Sequence, residues 1–135
     1  MIRKDDFSRL EINLAGCLDN YKYFRSRLEA STKLLVLVKA NAYGHGAVEF
    51  ASLMEEAGAD YLAVALPVEG VELREAGIKS PVMVLTAGTD FFNEIIDNDL
   101  EPGIPNLYSL KALCDVLEKR GVTDFPIHIK IDTGM

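Results

Sequence analysis

Two lysines in this chain stand where an apolar run gives way to polar residues, a position from which an amine can do covalent chemistry. Lys39 closes the run Leu34 to Val38, which is short for a helix and typical of a strand buried on both faces of a parallel sheet. An unpaired ammonium is costly to bury. Such a lysine therefore either marks where the strand surfaces or serves as a neutral amine, which condenses with carbonyl compounds. Leu35 and Leu37 share its strand face and are expected to surround it with hydrocarbon. Tyr43 follows four residues later and reads from the residues alone as a rim aromatic. Gly44 and Gly46 suit a tight turn into a helix and are too short a signal for a phosphate cradle.

The second lysine, Lys130, alternates with His128 and Asp132 against Ile127, Ile129 and Ile131. A strand would put the first three on one face, and the plainest partner for Lys130 is then Asp132, in a surface ion pair of little worth. His45 and His128 fit no metal-ligand spacing and no nucleophile–base pattern. His45 reads as a turn cap and His128 as a hydrogen-bonded strand residue. Cys17 and Cys114 suggest neither a disulfide nor a zinc site and read as small core residues.

The elements that must carry these groups recur regularly. Strand candidates begin near Leu34, Tyr61, Pro81, Glu101 and Pro126, spaced as one βα unit each. Between them fall helical patterns: Ala47, Phe50, Ala51 and Met54 before Gly58; Val68, Val71 and Leu73 before Gly77; Phe91, Phe92, Ile95 and Ile96; and Leu107 to Leu117, with Asn106 as N-cap and Gly121 as stop. An earlier helix is expected from Leu14 to Leu28, with Leu14, Leu18, Tyr21 and Leu28 on one face. Alternating βα units with strands apolar on both sides mean an α/β fold, a parallel sheet covered by helices. An open doubly wound sheet and the first half of a (β/α)8 barrel both satisfy that pattern.

Composition excludes some partners. With 135 residues, 49% of them hydrophobic, the chain is of one-domain size. Its 21 acidic and 14 basic residues, net charge −7, argue against nucleic acid and against a membrane surface. No apolar run approaches a membrane span. The opening MIRKDDFSRLEINLAG lacks a signal-peptide core, so a cytoplasmic location is expected.

The segment Val38-Lys39-Ala40-Asn41-Ala42-Tyr43-Gly44-His45-Gly46 resembles the pyridoxal-phosphate attachment segment of the alanine racemase family. Ile127-His128-Ile129-Lys130-Ile131-Asp132-Thr133-Gly134-Met135 looks like the strand and loop that carry its second lysine, at close to the family's separation. Tyr61 to Leu66 and Glu69 to Gly77 also look like family segments. The resemblance covers the whole chain but only the first third or so of such a racemase. Residues 1–135 would be the N-terminal part of its barrel domain, truncated before the rest of the barrel and a mostly β second domain. It favours the partial (β/α)8 TIM-type barrel, with a short leading strand over Arg9 to Leu14.

On this resemblance Lys39 would hold pyridoxal 5'-phosphate and serve as base on one face of the substrate carbon. Tyr43 would donate a hydrogen bond to the cofactor phosphate. Lys130 corresponds to a lysine that is often carbamylated and orients a downstream arginine, and the loop ending in Met135 would approach the substrate. The implied activity is interconversion of L- and D-alanine for peptidoglycan precursors by a homodimer, whose partner subunit supplies the opposite-face tyrosine. None of Tyr21, Tyr23, Tyr43, Tyr61 and Tyr108 matches that role, so the chain alone is expected to be inactive. The alternatives are a racemase of another amino acid, a non-catalytic pyridoxal-phosphate-binding barrel, and an interaction module in which Lys39 is structural.

Overall fold

A computed structural model describes residues 9–134 of the chain. The five apolar segments form five parallel strands, β1 (Leu35–Leu37), β2 (Tyr61–Val64), β3 (Val82–Val84), β4 (Glu101–Ile104) and β5 (His128–Ile129). Their spatial order is β1-β2-β3-β4-β5. A doubly wound sheet reverses its strand order at a switch point, whereas successive βα units of a barrel add each strand beside the last. The order seen is that of the barrel. Helix α1 (Leu14–Ser26) precedes β1. A left-handed turn, α2 (Lys39–Gly44), and then α3 (Ala47–Glu56) follow β1, α4 (Pro67–Glu75) follows β2, and α5 (Phe92–Asp97) follows β3 after a 3-10 turn. Helix α6 (Leu107–Arg120) joins β4 to β5.

The two faces of the sheet have different fates. Leu62, Val64, Val82, Val84 and Ile104 are at most 2% exposed and share one core with Ala51, Met54, Leu73, Ile95 and Leu113 of the helices. The alternate residues Leu35, Tyr61, Met83, Glu101 and His128 occupy the other face, by the strand register. There the Tyr61 and His128 rings meet edge to face, centroids 5.8 Å apart, although β3 and β4 lie between their strands. Strands three places apart in a flat sheet are about 14 Å distant, so this face is concave, as a closing barrel requires. On it the His128 Nε2 donates to the Glu101 carboxylate at 2.7 Å, the hydrogen-bonded role expected of that histidine.

At the N-terminal end of the strands two charged side chains tie the helices to the turns. Arg74 of α4 donates to the carbonyls of Ile78, Ser80, Asn98 and Asp99 at 2.9–3.1 Å. Burial pulls its guanidinium below the ordinary value, while Asp99, Glu55 and Glu101 oppose that. Glu55 of α3 accepts from the Lys79 and Ser80 amides and the Ser80 hydroxyl.

Several expectations hold. The Asn106 side chain accepts from the Ser109 amide, and Gly121 closes α6 at φ 65°. Others do not. The leading strand expected over Arg9 to Leu14 is not formed: residues 9–13 are irregular, Leu14 already begins α1, and among the described residues the sheet's strands pair only with one another. Helix α1 ends at Ser26, and of its expected apolar face only Tyr21 is buried, because α1 lies beside the open edge of β1. Cys17 is half-buried and Cys114 exposed rather than in the core. Among the described residues no helix is long and apolar enough to cross a membrane, and no cluster of histidine, cysteine and carboxylate side chains could hold a metal ion.

Candidate functional site

Lys39 leaves β1 at the C-terminal end of the sheet, where barrels carry their chemistry. The Val38 amide still bonds to Ala63 of β2 at 2.8 Å. The chain then turns sharply: Ala40, Asn41, Ala42 and Tyr43 all have φ between 50° and 56°. Each L-residue in a left-handed turn costs roughly 1–2 kcal/mol, and such strain persists only where its surroundings over-determine it, most often at functional sites.

The surroundings here do so. The Ala42 amide donates back to the Val38 carbonyl at 2.9 Å, and the Gly46 amide to Asn41 at 3.1 Å. The Asn41 side chain accepts from the Ala47 amide at 2.7 Å. The Ala42 carbonyl accepts from both the His45 amide and the His45 Nδ1, the latter at 2.7 Å. His45 is thus the turn cap expected of it. Gly44 and Gly46, at φ 88° and 91°, release the chain into α3. From α4, the Glu69 carboxylate reaches the Ala40 amide at 2.6 Å.

This turn brings Lys39 and Tyr43 together, with the ammonium 6.0 Å from the centre of the tyrosine ring. Tyr43 is 59% exposed. Lys39 is half-buried, not enclosed in hydrocarbon as its sequence context suggests. The reason is on the concave face, where Leu35 remains 41% exposed. Among the described residues Lys39 has no ion-pair partner.

Lys130 follows β5 at the same end of the sheet. Its amide continues the ladder to Ile104 at 2.9 Å, and its side chain is exposed. The expected pairing with Asp132 is not made, since Asp132 accepts from the Gly134 amide instead. Because β1 and β5 are the two edges of the sheet, Lys39 and Lys130 share a rim without forming one cluster. Met135 lies outside the described residues. Sequence reasoning missed Asn41 and Glu69. Glu69 in the first turn after Pro67 suits the N-terminus of a helix, but nothing in the sequence announces its reach to Ala40.

Comparison with known proteins agrees with this geometry. The family model described as the N-terminal domain of alanine racemase matches residues 12–135. An alanine racemase of Synechocystis sp. is 40% identical over 128 residues, which span 93% of this chain and 34% of that protein. The solved alanine racemase of Clostridium difficile superposes with a TM-score of 0.83 at 37% identity, covering 87% of this chain and 31% of that one. Its complex with cycloserine gives the same TM-score. The chain thus spans about a third of the length of the relatives it matches, and on the strength of the matched domain, the strand order and the lysine turn it belongs to the alanine racemase family.

Proposed function

We propose that the chain is the N-terminal part of the barrel domain of a pyridoxal-phosphate-dependent alanine racemase, with Lys39 as the residue that binds the cofactor. The observation that carries this reading is the left-handed turn that sets the Lys39 amine over the Tyr43 ring. The residues fit the group. An amine without an ion-pair partner among the described residues suits condensation with an aldehyde, and an exposed phenol beside it suits donation to a phosphate. When bound, pyridoxal 5'-phosphate supplies an electron sink that makes the α-proton of an amino acid removable. Lys39 Nζ, in its neutral form, then accepts that proton from one face. The half-buried rim limits water near the amine without closing it off from substrate.

Lys130 is proposed to be carbamylated, its new anion orienting a cationic group toward the substrate. Met135, which lies outside the described residues, is proposed on the family resemblance alone as a substrate-side residue. The proton donor for the opposite face comes from outside these residues, from a partner subunit in a homodimer, so the chain by itself does not racemise. The product serves peptidoglycan synthesis in the cytoplasm. Cycloserine, named with the C. difficile enzyme, is a compact cyclic relative of a small amino acid and supports a substrate of alanine's size.

The test is to mix the chain with pyridoxal 5'-phosphate and follow visible absorbance. A band abolished by borohydride and absent from Lys39→Ala supports the reading. A band that survives in Lys39→Ala, or no band in either protein, overturns it. D-alanine formation by the complete gene product decides between alanine and another amino acid.

A further inference from the structure

Glu69 has more contacts than capping a helix requires. It occupies the first turn of α4, and one of its oxygens, Oε2, accepts from the Leu66 amide at 3.0 Å, the ordinary role of a glutamate three residues into a helix. The same oxygen also accepts from the Ala65 amide at 2.7 Å, where β2 ends. The other oxygen, Oε1, crosses to the loop after β1 and accepts from the Ala40 amide at 2.6 Å. Ala40 directly follows Lys39 and is the first residue of the left-handed turn, at φ 52°. One half-buried carboxylate thus fastens the ends of two neighbouring strands at the point where the backbone departs from ordinary geometry.

We propose that Glu69 is a positioning residue for Lys39: its carboxylate holds the strained turn and so fixes the direction in which the amine leaves β1. The proposal rests on the reading of Lys39 given above. Its chemistry requires an ionised carboxylate, because both oxygens face amide donors and neither faces an acceptor. Glutamine in its place must turn an NH2 group toward either Ala40 or the Ala65–Leu66 pair, opposing donor to donor. Aspartate can still cap the first turn of α4 but is one methylene too short to span to Ala40. Without the bond, the residues in the left-handed region lose one of the contacts that over-determine them, and the amine samples directions unsuited to the cofactor.

The experiment compares Glu69→Gln and Glu69→Asp with the wild type in the gene product that carries these residues. Glu55→Gln serves as a matched control. It also alters a carboxylate that accepts three hydrogen bonds, but at the opposite end of the parallel sheet. Three readouts are taken: the dissociation constant for pyridoxal 5'-phosphate from the visible absorbance, borohydride trapping located on the Lys39 peptide by mass, and hydrogen exchange over residues 39–44. The expected result is about tenfold weaker binding, slower trapping and faster exchange in both Glu69 variants, the loss of roughly one charge-assisted hydrogen bond. Glu55→Gln should match the wild type in binding and trapping, and its exchange over residues 39–44 should rise no more than that of the rest of the chain. Wild-type binding and exchange in Glu69→Gln and Glu69→Asp would overturn the proposal, and so would an equal loss in Glu55→Gln. If the wild type is not trapped at Lys39, the pyridoxal reading falls. Unchanged exchange in the Glu69 variants overturns the positioning role on its own.

Discussion

Removing the Glu55 carboxylate tests how the helices are tied to the N-terminal end of the sheet. Its Oε1 accepts from the Lys79 amide at 2.8 Å, the Ser80 amide at 2.6 Å and the Ser80 hydroxyl at 2.8 Å. A hydrogen bond to a charged group contributes about 1.5–3 kcal/mol. Glu55 and Ser80 are only half-buried and Lys79 is exposed, so water replaces part of what is lost. Glu55→Ala is therefore expected to destabilise the chain by about 2–3 kcal/mol, and Glu55→Gln, which keeps an acceptor but no charge, by about 1 kcal/mol. Urea unfolding followed by far-ultraviolet circular dichroism reads both.

The pH dependence sharpens the test. Burial acts to raise the Glu55 carboxyl, but the Ser80 amide, the Ser80 hydroxyl, the Lys79 amide and the charge of Arg74 together hold it below its ordinary value of 4.5. A carboxyl lowered on folding stabilises the folded state fully above its unfolded value and loses that contribution as pH falls through its folded one. The gap between wild type and Glu55→Gln should stay constant from neutral pH to about 5 and shrink below about 4.5. A gap that persists or widens in acid, or a Glu55→Ala protein as stable as the wild type, would refute the reasoning.

Other outcomes follow from single contacts. Asn106→Ala removes the cap of α6, made to the Ser109 amide at 2.9 Å, and should cost about 1 kcal/mol in the same urea assay. Gly70 lies where an added Cβ would come within 2.8 Å of a Leu100 side-chain carbon, so Gly70→Val should cost about 1–3 kcal/mol by overpacking the contact between α4 and the start of β4. Glu101→Ala leaves His128 without its 2.7 Å acceptor on a strand of only two residues. Amide exchange at Lys130, whose N–H bonds to Ile104, should accelerate, while exchange at Leu62 in β2 should not.

Much of this architecture is legible along the chain. The strands begin within two residues of where the apolar runs begin, at Leu35, Tyr61, Val82, Glu101 and His128. Asn106, Gly121 and His45 act as the local chemistry of caps and turns demands. These signals are short-range: alternation, helical spacing and a polar side chain within reach of its own backbone. The family motif pointed to Lys39 and Tyr43, and the structure brings those two together.

What the residues could not announce is how distant parts constrain one another. Ala40 and Ala42 are of the type most favourable to a right-handed helix, yet both lie in the left-handed region, held by Asn41, His45 and a glutamate 29 residues away. The dry setting expected for Lys39 required a hydrocarbon wall on the concave face, and Leu35 remains exposed there. Local pattern alone determined which segments are strands and helices and which side of each seeks a core. Strand order, the curvature that brings Tyr61 to His128, and the strained turn that follows Lys39 were decided only by tertiary structure, because each depends on contacts between residues that no short-range preference links.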